Sequence, residues 1–293
     1  MTNRFARHEA QQTNGSKSTW SRIWRFPLVW MIVGLLSILV VNDLFYLLIE
    51  PAEGIASLLL YVVLCLIVIA IYKLTMKYLA RQSTPELSIA RAGKEAGLGA
   101  LIAIGLIGAA TLIITAAGGY SFQWADADID VVIISAIGAS LGASIVEELV
   151  FRGLALQAIS KLAGNWAALA VTSLFFGVAH LGNPGATLWG GIAIAIEAGI
   201  LLGAAFMWRK NLWFAMGLHF AWDFVDCLLD FPVSGHDVGG LFTKNLKGDI
   251  LLTGGEFGLE ASFITVILGL LIAIPMLISA ARKRASQSPK QIG

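Results

Sequence analysis

Hydrophobic residues fall along this chain in long unbroken runs, without the one-in-two alternation that a half-buried strand requires. Eight runs stand out, at approximately 27–49, 55–79, 98–118, 131–161, 165–181, 187–208, 211–229 and 261–281. An α-helix needs about 20 apolar residues to cross the hydrocarbon core of a bilayer. Lipid cannot pair a free peptide group, so only helices and closed barrels span it. The runs lack the alternation of a barrel. They predict an all-α fold: a polytopic membrane helical bundle of about eight transmembrane helices, the fifth of them short.

Composition narrows the classes. Of 293 residues, 57% are hydrophobic and only 13% are charged, about half the charged share of a typical soluble domain. Eight spans of roughly 20 residues use up nearly all that apolar content. A soluble enzyme on one anchor, a disordered chain and a disulfide-stapled secreted domain are excluded. Cys65 and Cys227 both lie inside apolar runs and read as small buried hydrophobes. Residues 1–26 read as a disordered basic cytoplasmic tail, without the pattern of a cleavable signal peptide. Residues 27–281 read as one transmembrane domain and 282–293 as a basic C-terminal tail.

The charges test the helix count. Lys and Arg collect in cytoplasmic loops. With eight helices and both termini cytoplasmic, 18 of the 20 basic residues fall on one side, and only Lys244 and Lys247 on the other. That other side carries Glu50, Glu53, Asp126, Asp128 and Asp130. The run Asp126-x-Asp128-x-Asp130 lacks the glycine and the twelfth-position acid of a calcium loop, so it reads as a solvated outer loop. The formal net charge of +1 assigns no partner by itself, and no internal repeat is visible, which argues against an inverted-repeat transporter.

Ionisable groups inside a span are costly and mark function by default. Three clusters matter. In Glu147-Glu148-Leu149-Val150-Phe151-Arg152, Glu148 and Arg152 stand one helical turn apart and can pair. Glu147 then points about 100° away. A partly buried carboxyl without a cation is a suitable general base. In Phe175-Phe176-Gly177-Val178-Ala179-His180, the turn near Ala163–Gly164 sets the height. Glu147 precedes Ala163 by 16 residues and His180 follows Gly164 by 16. In an antiparallel hairpin the two then sit level. In His219-Phe220-Ala221-Trp222-Asp223, the Asp can orient the imidazole one turn before it, or the pair can join helices. Glu197 lies midway along the sixth run; it is expected to partner Arg152 or another polar group, or to line a cavity. Asn42–Asp43 is expected at the outer interface. Gly138/Gly142 and Gly199/Gly203 are expected at close helix contacts.

These clusters, EExxxR, FxxxH and HxxxD in that order over roughly 131–230, resemble the CPBP (Abi) family of intramembrane proteases, which includes the type II CAAX prenyl endopeptidases. The stretch Thr253–Ser262 is reminiscent of bacterial members. The resemblance implies an intramembrane endopeptidase of the bacterial cytoplasmic membrane that acts on a membrane-associated protein or peptide. Mapped residue by residue, it gives Glu147 and His180 the activation of water and His219 and Asp223 the oxyanion site. Glu148 and Arg152 become structural support. The family's third motif usually ends in Asn, and here it ends in Asp223. An ionised Asp cannot donate to an oxyanion, so His219 is expected to be the main donor.

No cofactor is expected, since there is no HExxH pair. The alternative is a zinc site of His₂Glu type made by Glu147, His180 and His219. The expected partners are membrane lipid and a membrane-bound peptide or protein, with no nucleic acid; no oligomeric state follows from the sequence. Two other classes compete. One is a non-enzymatic bacteriocin-immunity or scaffold protein on the same fold. The other is a proton-coupled transporter relaying through Glu147, His180, His219 and Glu197.

Overall fold

The computed structural model describes residues 24–237 and 239–287. The expected N-terminal tail, through residue 23, and the last six residues of the C-terminal tail lie outside the described residues. Every apolar run is helical. In chain order the elements are α1 (Pro27–Ile49), α2 (Gly54–Leu74), α3 (Ala92–Ala116), β1 (Tyr120–Trp124), α4 (Ile129–Glu148) and α5 (Leu156–Ala179). They continue with α6 (Leu188–Ile194), α7 (Leu201–Arg209), α8 (Leu212–Leu228), β2 (Phe242–Leu246), α9 (Ile250–Thr253) and α10 (Phe263–Gln287). Three π-helical segments, Thr75–Ala80, Leu149–Ala155 and Ala195–Ile200, continue α2, join α4 to α5 and join α6 to α7.

Among the described residues, six helical stretches are long and apolar enough to cross a membrane. One of them, Ile129–Gly182, is 54 residues long and is not straight. Gly164 (φ 82°, ψ 167°) breaks it into a hairpin, where the sequence places the turn. Helix α8 is shorter, at 17 residues, and carries His219, Asp223 and Asp226 among its apolar residues. The outer faces of these helices carry Leu47, Leu66, Leu101 and Leu112, each more than 60% exposed. Apolar surface on that scale is disfavoured in water and matched by lipid. The chain is a polytopic all-α membrane protein.

Local chemistry sets the helix ends. Pro27 occupies the first turn of α1, where its missing N–H costs nothing. Asp128 caps α4 by accepting from the N–H groups of Asp130 (3.1 Å) and Val131 (3.4 Å), so part of the acidic outer run has a definite structural use. Thr187 and Asn211 cap α6 and α8 in the same way. The last helix passes the expected end at 281 and takes in Arg282, Lys283 and Arg284, because Ala-Ala-Arg-Lys-Arg offers no breaker.

Helix contacts use the small residues. Tyr61 of α2 lies flat over Gly138 and Gly142 of α4: an added Cβ would meet its ring at 2.8 and 2.5 Å. Gly199 meets the Ser173 backbone and Gly203 meets Leu169 just as closely.

Between α8 and α10, residues 230–262 form a strap that includes β2 and α9. β2 pairs antiparallel with β1, from Tyr120 opposite Leu246 to Trp124 opposite Phe242. Tyr120 donates to the Thr253 carbonyl (2.6 Å) and Trp189 to that of Ala261 (2.8 Å). Two glycines let the strap lie close. At Gly235 (φ 85°) and Gly258 (φ 116°), a Cβ would fall 1.9 and 2.1 Å from the carbonyl oxygens of Pro184 and Pro232.

Candidate functional site

The site begins where α4 gives way to a π-helical turn. Glu147 and Glu148 end α4, and the wider turn Leu149–Ala155 carries Arg152. Arg152 is 1% exposed. Its Nη1 donates to Glu148 Oε1 (2.7 Å), and its Nη2 to the carbonyls of Ala198 (3.0 Å) and Gly199 (3.2 Å). Those carbonyls belong to the second π-helical segment, Ala195–Ile200. A π turn disturbs the regular helical ladder, and such segments concentrate at functional sites. The guanidinium also lies over the Phe176 ring, 4.7 Å from its centroid. A charge this deep needs paired and hydrogen-bonded surroundings, and Arg152 has both. The expected Glu148–Arg152 pair is present, and it ties α4 to the sixth apolar run as well.

The two site histidines are held by their Nδ1 atoms. His180, at the end of α5, donates Nδ1–H to the Phe176 carbonyl at 2.6 Å. A carbonyl only accepts, so this bond fixes the proton on Nδ1 and leaves Nε2 free. The His180 ring leans on Phe176, and Phe176 meets Phe151 edge-on at 4.8 Å. Phe151 follows Glu147 by four residues and Phe176 precedes His180 by four, so this contact matches the equal heights read from the hairpin. His219, on α8, brings Nδ1 to 3.1 Å from Glu148 Oε1. Its Nε2 lies 3.6 Å from Asp223 Oδ2 and 3.9 Å from Glu147 Oε2. Glu148 is therefore closer to His219 than Asp223 is. The sequence assigns the orienting contact to Asp223 alone; the carboxylate shared by Arg152 and His219 makes the tighter one.

Glu147 is turned the other way from Glu148: its side chain is 30% exposed where that of Glu148 is fully buried. It lines a cavity of about 690 Å³ together with His180, His219 and Asp223. Phe151, Phe176 and Trp222 supply apolar wall, and Tyr61 and Asn42 extend the cavity toward α1 and α2. The strap supplies Ser234, His236, Asp237 and Glu260. Glu260 Oε2 accepts from the N–H (2.6 Å) and the hydroxyl (2.9 Å) of Ser234. Burial raises the Glu260 carboxyl above the usual carboxylate range, while the Ser234 bonds oppose that rise.

One expected partnership is corrected. Glu197 neither pairs with Arg152 nor lines the cavity. It is fully buried, and neither carboxyl oxygen has a hydrogen-bond partner. Arg152 instead takes the carbonyls just after Glu197, because the π turn presents backbone oxygen there. Two further acids are not singled out by the sequence. Asp226, fully buried and with both oxygens unpartnered, lies three residues beyond Asp223; the rule that singles out intramembrane acids applies to it equally. Glu260 sits in the Gly-rich stretch Thr253–Ser262, but nothing in that stretch marks it as buried. Cys65 and Cys227 are buried and free, and Cys227 also lines the cavity.

Among the described residues, no three His, Cys, Asp or Glu side chains are arranged to hold a metal ion. Glu147, His180 and His219 line the same cavity.

Comparison with known families places the same elements. Residues 129–225, which run from the start of α4 into α8, match the family model described as type II CAAX prenyl endopeptidase Rce1-like. No curated protein and no solved structure matches the chain.

Proposed function

From a membrane protein whose residues 129–225 carry an Rce1-like region, which supports a CAAX-type intramembrane protease in general, we propose hydrolysis of a peptide bond by a carboxylate-activated water. The observation that carries this reading is the separation of the paired glutamates: Glu148 is locked to Arg152 and His219, while Glu147 faces the cavity. A buried clamp alone needs only the first of the two.

Water held between Glu147 and His180 Nε2 loses a proton to the Glu147 carboxylate as its oxygen attacks the peptide carbonyl. Charge moves to the carbonyl oxygen. His219, with Nδ1–H donated to Glu148, in its protonated form presents Nε2–H to that oxyanion. The proton taken by Glu147 then passes to the leaving amine, so acid and base return to their starting forms. Asp223, with Oδ2 3.6 Å from His219 Nε2, faces the ring without taking its hydrogen bond. No step needs a metal.

The substrate is assigned as a membrane-associated peptide or protein, because the cavity is lined by α1 and α2 residues as well as by the strap. Product identification tests this. Membranes from cells holding the wild-type protein are compared with those holding Glu147→Gln, by terminal-peptide mass spectrometry. New termini only with wild type support the reading. Identical termini in both overturn it.

A further inference from the structure

The cavity wall carries more acids than basic side chains. Among the described residues it includes four acids, Glu147, Asp223, Asp237 and Glu260, three histidines, His180, His219 and His236, and no Lys or Arg. Arg152, close by, is turned away and occupied by Glu148 and two carbonyls. The strap brings two of the acids: Asp237 is exposed at the rim and Glu260, 4% exposed, lies deeper. The Ser234 bonds both fall on Glu260 Oε2 and so leave Oε1 free of them. Asp223, 2% exposed, faces the same space, and its Oδ2 accepts no hydrogen bond. Asp223 Oδ2 is an unpartnered acceptor, and Glu260 Oε1 an acceptor outside the Ser234 bonds, on the wall of a space large enough for a peptide. Leaving such groups unpaired is costly, and a ligand that donates to them gains that cost back.

The surroundings point the same way. Around the strap, Asp126, Asp128, Asp249 and Glu256 outnumber Lys244 and Lys247. A cleft lined by one sign of charge, with apolar walls, concentrates ligands of the opposite sign. A peptide that ended in a free carboxylate beside the cleaved bond would meet four carboxyl groups and no Lys or Arg on this wall.

We infer that the cavity takes peptides carrying a positively charged side chain beside the cleaved bond, with Glu260 and Asp237 as the specificity-determining residues. The inference rests on the protease reading for the word "cleaved", but the charge preference is a binding property. An ammonium or guanidinium group donates to Glu260 Oε1 and to the rim carboxylate of Asp237, and it offsets the cost of burying Glu260. The scissile carbonyl then lies toward Glu147 and His219.

Binding to the full chain in nanodiscs of neutral lipid tests this without turnover. The protein carries Glu147→Gln, and the probes are two fluorescent, membrane-tethered peptides that differ only in a central Lys-Lys or Glu-Glu pair. The Lys peptide is expected to bind roughly tenfold more tightly. In Asp237→Asn and in Glu260→Gln the preference should shrink several-fold, with the fold of each checked by its thermal transition. Equal or reversed affinities overturn the inference, as does a preference that both variants keep in full, since the outer surface then supplies it. Cleavage by the wild type is scored separately. A Lys peptide that binds selectively and stays uncut counts against the protease reading and leaves the charge selection standing.

Discussion

At the scale of single residues, the division of labour between Glu147 and Glu148 governs the site. Adjacent positions on a helix point about 100° apart, so one carboxylate can serve the frame while its neighbour serves the cavity. Removing Glu147 as Gln should lower turnover by roughly 10²–10⁴-fold while leaving the fold intact. The histidine motif separates in another way. His219→Ala should cost roughly 10²–10³-fold in kcat, the usual loss for an oxyanion donor. Asp223→Asn should retain activity, because the amide keeps an oxygen acceptor and adds a donor. Initial rates on a single tethered peptide check both. Equal losses at 219 and 223 would contradict the assignment of His219 as donor and Asp223 as its support. Arg152 answers to stability. Arg152→Ala leaves Glu148 buried without its cation and should cost about 3–5 kcal/mol, read as a fall in the thermal transition in detergent.

At the scale of elements, the sequence shows the helices well and their irregularities poorly. The apolar runs, the break at Gly164 and the glycine contacts are legible because each rests on local composition. The packing of Tyr61 over Gly138 and Gly142 predicts that Gly142→Val forces the ring aside, at about 1–3 kcal/mol, again read as a lowered thermal transition. The π-helical segments are not legible: a run of Leu, Val, Ala and Gly suits either helical register, and long-range partners decide. Without the π turn at Ala195–Ile200, Glu197 looks like the natural partner of Arg152. With it, backbone carbonyls take that place. The β1–β2 pair is hidden for a related reason. Tyr120, Phe122 and Trp124 do alternate, but their partners lie more than 100 residues away. Glu260 likewise gains its importance from Ser234, across the strap.

At the scale of the whole molecule, the chain is an inside-out protein: leucine faces lipid, and acids, an arginine and histidines face inward. That arrangement accounts for why a chain so poor in charge buries several of its charges in one place. The basic residues predict both termini on one side of the membrane and the strap on the other. Cysteines introduced at Asp128 and at Arg284 should therefore react with an impermeant maleimide from opposite sides of sealed vesicles; labelling of both from one side would overturn that topology. The buried native Cys65 and Cys227 keep the background low. Hydrolysis by a carboxylate-activated water at Glu147 can be followed directly. Purified protein in liposomes is depleted of metal by exhaustive chelation, and cleavage of a tethered Lys-containing peptide is followed in ¹⁸O-labelled water, beside the Glu147→Gln variant. Undiminished cleavage by the chelated wild type, ¹⁸O in the new carboxyl terminus, and loss of cleavage in the variant are expected. Cleavage that persists in Glu147→Gln, or that disappears on chelation and returns with zinc, would overturn the metal-free role of Glu147.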